Sequence, residues 1–244
     1  MPIADWLLTV ASISVSTRHS ALSAQHSEIG NRQSEIGNMA SPLIIGVGGL
    51  TSNVGKTTLV CDLLRAFPGW EAIKTTKGHY RSCGKDPHAC CVSHLLSDEP
   101  VIRSGRAQTY EAGKDTGRYW DAGAANVHWL IASSQQIGEG IRTALERIQS
   151  PAVIVEGNSF AEYVTPNVFL MVARENQREL KPSAKRALAK VSAVFISGVQ
   201  AESVPASKSE IVAPFFSGNL PVFSAPEFSD VIAFVQSKLL AAAA

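Results

Sequence analysis

The feature that most constrains this chain is the run Gly48-Gly49-Leu50-Thr51-Ser52-Asn53-Val54-Gly55-Lys56-Thr57-Thr58. It follows an apolar stretch, Leu43 to Val47, that reads as a buried strand. It precedes Lys56 to Arg65, where Leu59, Val60, Leu63 and Leu64 recur at helical spacing. Strand, glycine-rich turn and helix in that order bring backbone N–H groups together on an anion. Glycine is needed wherever a side chain would collide with a phosphate oxygen. The helix adds its free N–H groups and the positive end of its dipole. Lys56 is therefore expected to reach the outer phosphates of a nucleoside triphosphate (ATP or GTP), and the Thr57 hydroxyl to join Mg²⁺. Gly49, Asn53, Val54, Gly55 and Thr58 complete the expected cradle. The spacing is unusual: Gly49 and Gly55 enclose five residues where the general pattern has four, with leucine at position 50.

Short apolar runs then alternate with amphipathic stretches, the pattern of a mostly parallel sheet covered by helices. Strands are expected at Trp70 to Lys74, Asn126 to Ala132, Ala152 to Val155, Val168 to Val172, Val191 to Ile196 and Pro221 to Ser224. Ser133 with Gln136 forms a capping-box pattern ahead of a helix that buries Ile137, Ile141, Leu145 and Ile148. Further helices are expected around Ser183 to Lys190 and from Glu227 to Leu240, the latter with Val231, Phe234, Val235 and Leu239 inward. The expectation is a three-layer α/β fold in one domain over 39–244.

The first forty residues follow other rules. Ser27-Glu28-Ile29-Gly30-Asn31 recurs as Ser34-Glu35-Ile36-Gly37-Asn38, but one apolar residue and a glycine per copy cannot build a coiled-coil seam. The segment from Ser12 to Asn38 has little to bury. Residues 1–38 are expected to be either a disordered tail or an over-extended gene start, with Met39 as the initiator. Lysine plus arginine (22) nearly balances aspartate plus glutamate (21), so no general basic field points to nucleic acid. No apolar run approaches the roughly 20 residues of a membrane helix. Four cysteines, three of them between Cys83 and Cys91, do not resemble a disulfide framework, and a cytoplasmic location is expected.

Other residues bear on the chemistry. Glu156 ends a buried strand at the edge where parallel sheets gather ligands, and is a candidate for holding Mg²⁺ or its waters; the alternative is a solvated strand end. Lys74, at the end of the second strand, faces either phosphate or solvent. Between strands two and three, Cys83, His88 and Cys90, among His79, Cys91 and His94, form a candidate zinc or other transition-metal set. Asp115 either orients a water or caps the helix that holds Arg118 and Trp120. Arg118 reads as a surface ion pair in preference to a phosphate contact, and Cys61 as a packing residue.

The five-residue glycine spacing and Thr51 resemble the loop of dethiobiotin synthetases and cobyrinic acid amide synthases. Gly113-Lys114-Asp115-Thr116-Gly117-Arg118, followed by Ala122-Gly123-Ala124, resembles the MobB-type accessory proteins of molybdopterin-guanine dinucleotide biosynthesis. With Lys74 and Val155-Glu156-Gly157, the resemblance covers about Leu43 to Val172. It implies a P-loop NTPase fold, Mg²⁺-dependent hydrolysis with Lys56, Glu156 and Asp115 at the chemistry, and a role beside a cofactor-biosynthesis or metalloenzyme partner. Relatives of this kind often form homodimers. The loop spacing, Thr75 and Thr76 in place of the usual histidines, and the cysteine segment depart from the MobB pattern. Those departures leave open an ATP-dependent ligase or kinase of the dethiobiotin/cobyrinate kind, and a metal-binding chaperone gated by nucleotide.

Overall fold

The protein's computed structural model describes residues 41–79, 92–198, 208–216 and 218–243. Strand β1 (Leu43–Gly49) leads through the glycine-rich loop into α1 (Lys56–Ala66) and returns as β2 (Glu71–Lys77). Strand β3 (Val101–Ser104), helices α2 (Arg106–Thr109) and α3 (Asp115–Asp121), and strand β4 (Val127–Ala132) follow. The chain continues through α4 (Ile137–Glu146), β5 (Ala152–Glu156), β6 (Val168–Arg174), α5 (Pro182–Ala187) and β7 (Ala193–Ser197). It closes with α6 (Lys208–Val212), β8 (Val222–Ser224) and α7 (Phe228–Ala243).

The strands form one eight-stranded sheet in the order β3-β4-β2-β5-β1-β6-β7-β8. All pairings are parallel except that of β3 with β4. The expected three-layer α/β architecture is therefore present. Strand alternation divides the core. Ile45, Val47, Ile154 and Leu170 face α1, α3 and α7, whereas Ile44, Val153, Val155 and Phe169 face α4, α5 and α6. Val231, Val235 and Leu239 of α7 are fully buried; Phe234 is only partly so, set against Phe223.

Three expectations need correcting. Strand β3 was not foreseen, because four partly buried residues on a sheet edge carry a weak apolar signal. Strand β2 runs on to Lys77, so Lys74 lies within it, paired with Glu156 and Trp129. At α4 only half of the capping box forms: the Ser133 N–H donates to Gln136 Oε1 at 2.9 Å, and the helix starts at Ile137.

Chain reversal puts the ends of β1, β2, β5, β6 and β7 on one edge of the sheet. Strands β5 and β6 lie on opposite sides of β1, so the sheet opens a crevice there, directly over the glycine-rich loop.

Candidate phosphate-binding site

The loop after β1 has a specific backbone shape. Asn53 (φ 58°) and Gly55 (φ 92°) both adopt the left-handed region; asparagine tolerates this and glycine does so without cost. Leu50 explains the long spacing. Its side chain is fully buried, its N–H donates to Val172 O at 3.0 Å, and its carbonyl accepts from Lys181 N–H at 2.9 Å. The additional residue is thus a plug that binds the loop to β6 and to the start of α5.

Three side chains brace the loop from behind. Asn158 grips Gly49 from both sides: its Oδ1 accepts from the Gly49 N–H at 2.9 Å and its Nδ2 donates to the Gly49 carbonyl at 3.0 Å. Arg174 donates to Asn53 O, and Ser197 donates to Val54 O at 2.7 Å. None of the three was singled out from sequence. Asn158 had the clearest signal, two residues beyond Glu156.

Ahead of the loop, α1 presents Lys56, Thr57 and Thr58. Lys56 is largely buried, and its ammonium makes no hydrogen bond or ion pair with any described residue. Burial lowers its pKa from the usual lysine value and neighbouring Lys74 adds to this, while Glu156 and Asp115 oppose them.

Beside Lys56 lies a polar cluster. Lys74 Nζ is 2.5 Å from Glu156 Oε1 and 2.6 Å from Asp115 Oδ2. The Thr57 hydroxyl lies 2.9 Å from Asp115 Oδ1 and 3.0 Å from Glu156 Oε2. The hydroxyl of Tyr119, itself fully buried, donates to Glu156 Oε2. Burial works against the Lys74 ammonium, but the two carboxylates outweigh it and hold its pKa above the usual value. Burial likewise opposes ionised Asp115, and Lys74 outweighs it, keeping this carboxyl below its usual range. Burial and the adjacent Glu156 charge push the Tyr119 hydroxyl well above its ordinary pKa.

Asp115 is the first residue of α3, and Lys114 is its cap residue, so the capping alternative for Asp115 gives way to contacts with Lys74 and Thr57. Tyr119 lies one helical turn further along the same face, a spacing that would have marked it. Arg118 is not in a surface ion pair among the described residues. It donates to Thr58 Oγ1 at 3.2 Å and lines the same recess. Gly157 (φ 146°) carries the chain away from Glu156, and a Cβ there would lie 1.9 Å from Thr75 Oγ1. That hydroxyl instead donates to Glu156 O at 2.7 Å, fixing the strand end.

These groups line a recess of about 420 Å³ containing Lys56, Thr57, Lys74, Asp115, Arg118 and Glu156. A second recess of about 620 Å³ lies over Asn53, Gly55 and Thr58, between Asp62, Asn176 and Ser197. A third, of about 450 Å³, opens on the other side of Lys56 and Glu156. Thr57, Asp115 and Glu156 supply only hard oxygen donors, the set Mg²⁺ favours, so the residues present fit that ion. Cys83, His88 and Cys90 lie outside the described residues. Among the described ones, no group of three or more His, Cys, Asp or Glu is placed to hold a metal ion. Cys61 is buried, with its thiol 3.5 Å from Arg118 O, in keeping with a packing role. No described helix is long and apolar enough to cross a membrane.

No protein-family model matches the chain, and no curated protein matches it. Among solved structures, it is similar to LpxK from Aquifex aeolicus in complex with ATP, at 14% identity and TM-score 0.46, over 92% of this chain and 64% of that one. It is also similar to the signal recognition particle receptor FtsY from Elizabethkingia anophelis in complex with GDP, at 12% identity and TM-score 0.31, over 78% of this chain and 56% of that one. The chain thus spans less than two thirds of either neighbour. Likenesses this distant carry nothing about what the site does.

Proposed function

We propose that the chain binds a Mg²⁺–nucleoside triphosphate over the loop 48–58 and hydrolyses it. The observation that carries this reading is Lys56: a largely buried ammonium at a helix start, without a hydrogen-bond or ion-pair partner among the described residues, is compensated once an anion arrives. Gly55 and Asn53 turn the loop's backbone around the same point, and Lys56 holds the outer phosphate oxygens. Thr57, Asp115 and Glu156 hold Mg²⁺ or its water ligands. The ion supplies positive charge against the oxygens of the transferring phosphoryl group.

The remaining residues position these groups. Lys74 keeps Asp115 ionised and holds both Asp115 and Glu156 in place, and Tyr119 fixes Glu156 Oε2. Asp115 and Glu156 are the carboxylates available to orient an attacking water. The nucleoside lies in the recess by Asp62, Asn176 and Ser197, which offers polar groups for ATP or GTP without the Asn-Lys-x-Asp run that selects guanine.

The wider role is accessory to molybdenum-cofactor or other metalloenzyme maturation. This part rests on the resemblance of Gly113 to Ala124 to the MobB-type proteins. Calorimetric titration of the purified chain with ATP and GTP, with and without Mg²⁺, tests the binding reading: saturable binding to wild type that Lys56→Ala weakens by roughly a hundredfold is expected. Equal affinity in the two proteins would refute it. Phosphate release stimulated by a maturation partner supports the accessory role, whereas turnover only with an added small acceptor supports the ligase or kinase reading.

A further inference from the structure

The two carboxylates that fit Mg²⁺ already share a cation from the protein itself. The Lys74 ammonium lies 2.5 Å from Glu156 Oε1 and 2.6 Å from Asp115 Oδ2, so it joins the two rather than pairing with one. Strand register fixes this arrangement. Lys74 on β2 is the parallel partner of Glu156 on β5, and Asp115 enters from the first turn of α3. The Lys74 side chain is 17% exposed and that of Glu156 2%, so little water screens the contact.

The other oxygen of each carboxylate faces Thr57. Its Oγ1 lies 2.9 Å from Asp115 Oδ1 and 3.0 Å from Glu156 Oε2, and the Tyr119 hydroxyl donates to that same Oε2. A threonine hydroxyl has one proton, so it donates to only one of the two carboxylates. With the other it makes an oxygen–oxygen contact that has no hydrogen between. Three oxygens, from Thr57, Asp115 and Glu156, thus converge at one end of the carboxylate pair, and Lys74 holds the other end.

A divalent ion taken up by those oxygens draws on carboxylates whose charge Lys74 already shares. Two cations on one pair of carboxylates repel each other strongly where screening is weak. From this arrangement we infer that Lys74 is a resident counter-ion that opposes Mg²⁺ at Asp115 and Glu156, making metal binding depend on the nucleotide. The nucleotide's phosphates bring negative charge and further oxygen ligands, which offset the repulsion. Lys74 acts through the two carboxylates and is a positioning residue. The dependence on nucleotide rests on the reading above, whereas the opposition between Lys74 and the metal does not. A purely structural joint predicts the reverse sign: without Lys74 the carboxylates would loosen and bind metal less well.

The test titrates the full, nucleotide-free chain with Mn²⁺, which takes the same oxygen ligands and whose free-ion electron paramagnetic resonance signal falls on binding. Lys74→Gln should bind Mn²⁺ about tenfold more tightly than wild type. The double variant Lys74→Gln/Glu156→Gln should lose that gain, which places the ion at this pair. Thermal melting checks that each variant is folded, and Lys74→Met, also uncharged, replaces the glutamine variant should that one not fold. Equal or weaker Mn²⁺ binding without the Lys74 charge overturns the inference, as does a gain that survives Glu156→Gln. Calorimetry with a non-hydrolysable ATP or GTP analogue then reads the coupling. Mg²⁺ should raise analogue affinity more in wild type than in Lys74→Gln, because coupling between two ligands is reciprocal. An equal gain in both overturns the dependence on nucleotide. Failure of the analogue to bind either protein refutes the nucleotide reading and leaves the Mn²⁺ comparison standing.

Discussion

Two buried polar clusters lie on opposite edges of the same sheet, and they are built on opposite plans. On the edge away from the glycine-rich loop, Glu71 at the start of β2 accepts the Gln149 and Ser150 N–H groups on Oε1, both at 2.7 Å, and meets His128 Nε2 on Oε2 at 2.8 Å. His128 Nδ1 in turn meets Ser104 Oγ at 2.8 Å. Both sides of the carboxylate and both ring nitrogens have partners. Burial alone would raise the Glu71 pKa, but His128 and the two N–H groups outweigh it and hold it below the usual range. This cluster joins β2, β3, β4 and the turn before β5, and needs no ligand. At the loop edge Thr57, Lys74, Asp115, Tyr119 and Glu156 are equally interlocked, yet Lys56 among them has no hydrogen-bond or ion-pair partner among the described residues. Burial of charge is shared by both clusters. An unmet valence distinguishes a candidate site from a structural joint.

The contrast breaks if stability and binding do not separate. Glu71→Ala has the largest expected effect: it strips two backbone donors and His128 of their acceptor, at a cost of about 3 kcal/mol in thermal or denaturant unfolding. Nucleotide affinity of the folded fraction should be unchanged. Lys56→Ala should do the reverse, lowering nucleotide affinity by about 3 kcal/mol, roughly a hundredfold, without lowering the melting temperature. A clear loss of stability in that variant would show Lys56 to be a joint after all. Glu156→Ala and Thr57→Ala should each remove about tenfold of the affinity gained on adding Mg²⁺, with metal-free binding little affected. Asn158→Ala stands between the two plans, because its contacts are structural but hold the loop. It should cost about 1 kcal/mol in both melting and binding.

The smallest effect is in acid. Asp115 and Glu71 are held below their ordinary pKa values in the folded protein, so their contribution is complete above the ordinary carboxylate range. It is lost as pH falls through their lowered folded values. Glu71→Gln should therefore flatten the acid side of the stability profile. An unchanged slope would place the proton uptake elsewhere. Lys74 works in the other direction: its raised pKa means its contribution is complete at neutral pH and is lost only as pH rises through that raised value.

Much of this was legible along the chain. The strand–loop–helix unit around Gly48 to Thr58 is local, and its glycines and apolar periodicity record it directly. Glu156 was legible because a buried apolar run ends there. Residues that contact partners far away in sequence were harder. Tyr119 reaches across 37 residues to Glu156, and Asn158 across 109 to Gly49. The Ser104–His128–Glu71 cluster left no trace because its members are single residues on three strands, one of them unforeseen. Lys74 was expected at a strand end, yet β2 runs on, and its pairing with Glu156 depends on which strands are neighbours.

The sequence by itself thus determined the class of fold and the position of the glycine-rich loop, because backbone geometry and periodic burial are set by residues close together in the chain. The tertiary structure alone decided which charges are neutralised and which wait for a partner. Strand order places Glu156 beside Lys74 and sets Asn158 behind Gly49. In a low-dielectric crevice those neighbours, rather than residue type, fix what each ionised group still requires.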